Sequence, residues 1–448
     1  MTLPAIQEFD YPVNCLALNR EFAERYPFLL ESTATSASGN ARFDILFAFP
    51  EETLRWDHLL APHLERRQDF LSQLNTRWRH AAADKSCPQA LPFAGGWFIY
   101  LGYEIAAEIE HRLKLPKPET SLPHAFMTRI PVAIINDHQL KKSYLVTEHG
   151  RTPPLAQVEV DLGDLSAETH STDIEIEAIE EDRPQRYLDH VEVIKNYIYE
   201  GDVFQVNLSR QWSGKANSTY LADSLYQHLR ISNPAPFSGI VKIGQQAILS
   251  SSPERLVKVK GRTVDTRPIA GTRARGASKQ DDKRLQSELL GSLKERAEHL
   301  MLLDLERNDL GRVCQPGSVK VTELMLVEHY AHVQHIVSNV TGELRADVEP
   351  GDVLRAVFPG GTITGCPKER CMAIIAELEQ LGRGAYTGSM GYLNHDGSMD
   401  MNILIRSIVV EGDRFYFRAG AGIVADSDAQ RELEETRIKA EGMLRAFA

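Results

Sequence analysis

Short stretches in which apolar and polar residues alternate follow one another along this chain without the regular strand, helix, strand rhythm of a doubly wound sheet. Residues 43–49, 97–101 and 132–135 read as strands, and the last leads through an Asn136-Asp137 turn into a further strand over 144–147. A helical period over 184–201 puts Tyr187, Val191, Val193, Ile194, Tyr197 and Ile198 on one apolar face, with Gly201 as the stop and a strand over 203–208 after it. Parallel α/β sheets require a helical crossover between successive strands. The expected class is therefore α+β.

A chain of 448 residues can hold two or three domains or one elaborate fold. Between residues 150 and 185 the sequence turns acidic and poor in aromatics, through Glu168, Asp173, Glu175, Glu177, Glu180, Glu181 and Asp182. This reads as an exposed linker or peripheral strand, and it sets a soft boundary between a 1–165 subregion and a 181–448 region. The net charge of −12 disfavours nucleic acid, since phosphate contacts need clustered Lys and Arg. There is no apolar run of roughly eighteen residues to span a bilayer, so no membrane partner is expected. The first ten residues lack the pattern of an export signal, so a cytoplasmic location is expected. Cys15, Cys87, Cys314, Cys366 and Cys371 contain no CxxC pair and read as reduced structural thiols.

Two helical patterns concentrate carboxylates. In Lys294-Glu-Arg-Ala-Glu298, Glu295 and Glu298 project from one face of a helix whose apolar positions include Leu285, Leu289, Leu293, Leu300 and Leu303. In a C-terminal helix over about 428–447, with Ser427 as its cap, Glu432, Glu435 and Lys439 flank a stripe of Leu433, Ala440, Leu444 and Phe447. Glutamate pairs at this spacing are usually solvated faces. Two pairs on two helices could instead hold Mg²⁺, a hard cation that takes a few carboxylates and keeps several waters. The glycine-rich run Phe358-Pro-Gly-Gly-Thr-Ile-Thr-Gly-Cys-Pro-Lys368 offers close backbone approach and hydroxyl and amide donors, which suit a carboxylate, and lacks the ending of a nucleotide P-loop. Gly420-Ala-Gly422 lies in a strand pattern over 415–424. His335 stands among alternating apolar residues, where a satisfied core histidine is commoner than a general acid or base. Arg406 reads as a cation on the apolar strand Ile403-Leu-Ile-Arg406-Ser and calls for an anionic partner, protein or ligand.

These segments occur in the order found in the chorismate-utilising enzymes, and the chain resembles that family, which includes anthranilate, aminodeoxychorismate, isochorismate and salicylate synthases. The resemblance covers about 181–447, with a weaker match at Leu29-Leu-Glu-Ser32 and Arg42-Phe-Asp44. It implies one interwoven α+β fold with a β-sandwich core flanked by helices. It implies Mg²⁺ held directly by Glu298 and Glu435 and through water by Glu295 and Glu432. Tyr386, Arg406, Gly420, Gly422 and Lys439 would anchor the enolpyruvyl and ring carboxylates of chorismate, with Thr362 in the same wall. His335 would lie beside the ring and Glu254, in Ser252-Pro-Glu254, near its reacting face. Thr272 and Gln205 complete the implied catalytic set.

Details separate the family's branches. Water-using members carry a lysine base where this chain has Gln205, and an amide cannot take a proton from water. Gln205-Val-Asn-Leu208, Asn233-Pro-Ala-Pro-Phe-Ser238 and Pro359-Gly-Gly-Thr-Ile-Thr-Gly365 all resemble aminodeoxychorismate synthases. Pro268-Ile-Ala270-Gly-Thr272 instead has the alanine usual in anthranilate synthases, where many aminodeoxychorismate synthases place a nucleophilic lysine. The implied reaction is amination of chorismate to 4-amino-4-deoxychorismate, toward 4-aminobenzoate and folate, with anthranilate formation as the alternative. No glutaminase signature is present, so ammonia is expected from a separate glutamine amidotransferase subunit in a heterodimer. Ser32, Arg42, Phe43, Pro236 and Phe237 resemble the family's tryptophan pocket, which makes tryptophan a second expected ligand, structural or inhibitory. A catalytically inactive tryptophan-binding regulator is the alternative of another class.

Overall fold

The computed structural model describes residues 4–34, 42–59, 69–81, 91–165, 173–274, 278–329 and 333–447. Two antiparallel sheets stack face to face. The first runs in the order Ala5–Phe9, Lys142–Thr147, Val132–Asp137, Phe43–Ala48, Phe28–Glu31, Phe237–Ile243, Gln246–Ser252, Ser407–Glu411, Arg414–Ile423, Gln205–Asn217 and Gly365–Cys366, with Glu175–Glu181 also on Gln205–Asn217. The second runs Ile269–Ala274, Val333–Glu343, Thr263–Arg267, Arg255–Lys260, Met399–Asn402, Ser389–Asn394, Gly96–Leu101, Ala125–Ile130 and Thr53–Trp56, with Lys320–His329 also on Val333–Glu343. Both halves of the chain enter both sheets: Glu31 lies opposite Ser238 in one ladder and Leu101 opposite Ser389 in the other.

Between the sheets, Phe28 and Phe47 of the first interlock with Phe98 of the second, at ring-centroid distances of 4.3 Å stacked and 5.2 Å edge-on. Each such ring removed from water contributes about 1.5–3 kcal/mol. Helices cover the outer faces. Leu18, Leu225, Leu229, Ala440 and Met443 close one, and Phe70, Leu74, Leu303, Leu310 and Leu354 the other. Burial on both faces explains why Gly96–Leu101 is apolar without alternation and buried along its whole length. Among the described residues no helix is long and apolar enough to cross a membrane.

Several local expectations need correction. Asn136 and Asp137 end a strand, and the turn falls at 138–141. The strand expected over 203–208 runs from Gln205 to Asn217 because it is held on both sides, by Arg414–Ile423 and Glu175–Glu181. The acidic stretch contains that edge strand and also a helix, Leu155–Gly163. The leucine pattern around 285–303 is two helices, Lys279–Gly291 and Leu293–Gly311, divided at Ser292, whose hydroxyl accepts from the Glu295 amide at 3.3 Å; Leu300 is exposed. Asp428, not Ser427, caps Ala429–Leu444, accepting from the Arg431 amide at 3.0 Å. Cys15, Cys314, Cys366 and Cys371 are free thiols, and Cys87 lies outside the described residues.

One buried charge network ties the glycine-rich segment to the first sheet. Glu379 takes Arg383 Nη2 at 2.7 Å, Arg418 Nη2 at 2.8 Å and the Ser209 amide at 2.9 Å. Arg383 in turn donates to the carbonyls of Ile363 at 3.1 Å and Asn207 at 2.7 Å. Burial alone would raise the Glu379 carboxyl, but Arg383 and Arg418 hold it below its ordinary value.

Candidate functional site

The chain crosses from one sheet to the other twice in adjacent segments, and the site is built on these crossings. Pro253-Glu254 joins Gln246–Ser252 to Arg255–Lys260, and residues 403–406 join Met399–Asn402 to Ser407–Glu411. The segments bond to each other: the Ile403 amide donates to the Glu254 carbonyl at 3.0 Å, and the Ser251 amide to that of Arg406 at 3.1 Å. Arg406 therefore stands in a bend and not on a strand, with φ of 51°, a left-handed conformation uncommon outside glycine.

Glu254 is 5 % exposed. Burial pushes its carboxyl up to about 7, against the Thr362 hydroxyl, the Ile269 amide and the charges of Arg406 and Lys439; the Ile269 amide is 3.3 Å from Oε1. His335, in Val333–Glu343, lies opposite Thr272 in the ladder. Burial, reinforced by Arg406 and Lys439, pushes its imidazole down to about 3, against a hydrogen bond with the Gly271 backbone. The ring is thus neutral across the working range, which removes the near-neutral titration that a general acid or base role would use. The side chains of Ala270 and Thr272 lie outside the described residues.

Gln205 and Asn207 form a second wall, on a strand in which Asn207 lies opposite Gly422 and Ser209 opposite Gly420. A Cβ at Gly422 would stand 2.1 Å from Gln205 Nε2, and one at Gly420 would stand 2.9 Å from both Asn207 Oδ1 and Tyr386 Oη. Glycine is what lets these side chains lie on the strand backbone. Gln205 Oε1 and Asn207 Oδ1 are buried without a hydrogen-bond partner among the described residues, the state expected of groups that meet a ligand. Lys439 closes this wall, donating to the Gly420 carbonyl at 3.1 Å and pairing with Glu435 at 2.7 Å.

Two of the four helix carboxylates are tied to these residues: Glu295 lies at Gly271, and Glu435 pairs with Lys439. Glu295 Oε2 lies over Gly271, where a Cβ would meet it at 2.9 Å and where φ is +63°. Glu432 is buried and accepts from Ser427 Oγ at 2.7 Å. Glu298 is partly buried and Glu435 about half exposed. Among the described residues no three His, Cys, Asp or Glu side chains converge as a metal cage. Such a donor set suits Mg²⁺, which is held by one or two carboxylates with waters and substrate oxygens, better than ions that need a closed protein shell.

Ser32, Arg42, Phe43 and Pro236 form a separate group past the C-terminal end of strand Phe28–Glu31, where the Ser32 amide donates to Asp44. Ser32 Oγ donates to the Pro236 carbonyl at 3.0 Å, and Arg42 pairs with Asp137 at 2.6 Å with its guanidinium 4.6 Å from the Phe43 ring centroid. Phe237 instead lies under Arg255, 5.0 Å from the ring centroid. Glu31 in this group is buried, which pushes it up to about 6 despite Arg230.

Sequence reading missed Glu306 and Asp309. Both are buried, and they occupy the stripe of His299, Leu302, Leu303 and Leu310 on helix Leu293–Gly311. Acids at core-facing helical positions were the available signal.

The model of the chorismate binding enzyme family matches residues 28–445. The chain is 41% identical over 368 residues to aminodeoxychorismate synthase component 1 of Bacillus subtilis, covering 79% of this chain and 77% of that protein. It is 40% identical over 440 residues to anthranilate synthase component 1 of Thermus thermophilus, covering 95% and 93%. Its fold superposes on the crystal structure of anthranilate synthase component I from Streptococcus pneumoniae with a TM-score of 0.80 at 33% identity, over 90% of this chain and 92% of that one. With crossing segments, glycine-faced amides and flanking carboxylates all inside the matched span, this chain belongs to the family of chorismate-binding enzymes.

Proposed function

We propose that the chain aminates chorismate to 4-amino-4-deoxychorismate, a step toward 4-aminobenzoate and folate, with ammonia supplied by a glutamine amidotransferase subunit. The observation that carries this reading is a pair of buried oxygens, Gln205 Oε1 and Asn207 Oδ1, with no partner among the described residues, in a site that also holds the buried Glu254 and two cations, Arg406 and Lys439. Chorismate brings two carboxylates that those cations suit. Tyr386, Thr362 and the Gly420 and Gly422 backbone line the remainder, and the orphaned Gln205 and Asn207 oxygens accept hydrogen bonds from the incoming nitrogen. Gln205 cannot serve as a base for water, so hydration does not compete. Glu254 orients the nucleophile, takes its proton and returns it to the departing C4 hydroxyl, so that ammonia enters and water leaves with no net proton released, while neutral His335 packs beside the ring. Mg²⁺, assigned to Glu298 and Glu435 with Glu295 and Glu432 behind them, would neutralise the ring carboxylate and help the C4 hydroxyl leave. We assign tryptophan to the separate group at Ser32, Arg42, Phe43 and Pro236, beside Phe237, where Glu31 and Asp44 offer carboxylates to an ammonium group.

A second reading, anthranilate formation, is favoured by Ala270, which lacks a nucleophile, and by relatives of both names.

The isolated chain is expected to consume chorismate with ammonium salts and Mg²⁺ but not with glutamine, and to gain glutamine use only with an added amidotransferase subunit. The rate should fall as pH drops below about 7, because the base form of a carboxyl with that raised value is present above it and lost below. Chromatography of chorismate consumption against pH and nitrogen donor checks both. Glutamine-dependent product from the pure chain alone would refute the division of labour.

A further inference from the structure

The turn over 383–388 carries Tyr386 into the wall of the site, where a Cβ at Gly420 would stand 2.9 Å from both Tyr386 Oη and Asn207 Oδ1. Two other segments hold this turn. One is the sheet crossing at 403–406: the Thr387 amide donates to the Leu404 carbonyl at 2.7 Å, and the Leu404 amide to that of Gly388 at 2.8 Å. The other is Leu101-Gly-Tyr-Glu104, where strand Gly96–Leu101 ends. Here the Tyr103 amide donates to the Gly384 carbonyl at 2.9 Å, and Glu104 Oε1 accepts from the Arg383 amide at 2.7 Å. The Gly384 amide lies 3.2 Å from each Glu104 oxygen. Two consecutive amides thus converge on one carboxylate, as a backbone nest takes an anion.

Glu104 is 1 % exposed and stands between the buried Tyr103 and Ile105. Burial pushes its carboxyl up to about 7, against the amides of Gly384, Glu104 itself and Arg383 and the charge of Arg418. The other ionisable groups facing it are Tyr100 on Gly96–Leu101, Tyr103 beside it and Tyr416 on Arg414–Ile423, all raised by burial. An acid in such surroundings costs stability. The turn it holds is itself strained, because the buried, β-branched Thr387 sits at φ of 62°, a left-handed conformation that persists only where its surroundings impose it. Arg383 extends the same hold, since its side chain donates to the carbonyls of Ile363 and Asn207. A buried acid and a strained backbone together fix one short turn, and the side chain this turn presents to the Gly420 wall is Tyr386.

We propose that Glu104 is a positioning residue for chorismate binding: through the Arg383 and Gly384 amides it fixes the 383–388 turn, and the turn fixes Tyr386 for a hydrogen bond to a substrate carboxylate. The inference rests on the chorismate reading of this site and not on which product forms. Glu104 acts through the backbone and does not touch the substrate. A glutamine in its place keeps the length and one acceptor oxygen but turns an NH₂ group toward the backbone amides, donor against donor, so the turn must shift. A hydroxyl displaced from a carboxylate loses a charge-assisted hydrogen bond, which is expected to weaken binding about tenfold.

The test measures ammonium-dependent chorismate consumption at about pH 8.5, where a carboxyl with that raised value is ionised, for the intact chain, Glu104→Gln, Tyr386→Phe and the double variant. Glu104→Gln should raise KM for chorismate about five- to tenfold with kcat within about twofold, the mark of lost binding shared by ground and transition states. Added to Tyr386→Phe, it should raise KM no further, because the two changes remove one interaction. An unchanged KM in Glu104→Gln would overturn the proposal, as would a fall in kcat alongside the rise in KM, or effects that multiply in the double variant, since those are the marks of a general packing defect. If Glu104→Gln does not fold by circular dichroism, Glu104→Asp takes its place: it keeps the charge but withdraws the carboxylate from the two amides, and the same KM rise and the same lack of addition are expected, with their absence overturning the proposal. An unchanged KM in Tyr386→Phe would refute the reading of this wall as a chorismate anchor, whereas a raised KM there with an unaltered Glu104→Gln would refute only the positioning role.

Discussion

Glu298→Gln and Glu435→Gln are each expected to lower ammonium-dependent turnover about 10³-fold, equivalent to about 4 kcal/mol of transition-state stabilisation, with the fold intact. Each substitution keeps the side chain's volume and removes a hard anionic ligand. Glu298 and Glu435 sit on different helices, Leu293–Gly311 and Ala429–Leu444, so neither is expected to replace the other. Stability should hardly change at Glu435, because its pair with Lys439 is 48% and 38% exposed on the two sides and exposed pairs contribute roughly 0–1 kcal/mol. Steady-state rates across a Mg²⁺ titration, with circular dichroism as the folding control, separate the two effects. A variant with near wild-type turnover at saturating Mg²⁺ would remove that residue from the metal assignment.

Glu379→Ala should be the most damaging single change to the fold itself. It leaves Arg383 and Arg418 buried, at 1% and 4% side-chain exposure, without their shared carboxylate. Breaking a buried pair from one side costs about 3–5 kcal/mol, much of it the uncompensated charge left behind. The effect should reach the candidate site, since Arg383 holds the carbonyls of both Ile363 and Asn207. The contribution also depends on pH. A carboxyl held below its ordinary value stabilises fully above that value and loses its contribution as pH falls through the lower folded one. Denaturant unfolding near neutral pH and in acid measures both, and a loss below about 1 kcal/mol near neutrality would contradict the account.

The sequence revealed the strands with clean alternation and the helices with clean periods, because those signals arise within a few residues. The sheet pairings are not local: Leu29 meets Ile240 and Tyr100 meets Met390, and no single-chain pattern encodes such partners. Arg406 was misplaced because Ile403-Leu-Ile looks the same whether it continues a strand or passes between two buried sheets. The break at Ser292 was hidden by a leucine period that carries on through it, and Asp428 takes the cap while the Ser427 hydroxyl accepts from the Val424 amide and donates to Glu432. Among candidate site residues, Glu254 and His335 stood out by motif, yet their proton affinities move in opposite directions for one shared reason, burial, while Arg406 and Lys439 push both down. That could only be seen once both sheets were in place.

The amination reading turns on which ring carbon keeps the nitrogen. Proximity and orientation within the wall formed by Gln205 and Asn207 are expected to decide it, since they outweigh modest intrinsic preferences. The measurement is product identity, by chromatography and mass, after the pure chain is incubated with chorismate, Mg²⁺ and ammonium, with and without an aminodeoxychorismate lyase. The account predicts 4-amino-4-deoxychorismate, converted to 4-aminobenzoate only when the lyase is added; fluorescent 2-aminobenzoate formed without lyase would contradict it and make Ala270 the residue that decides the reaction.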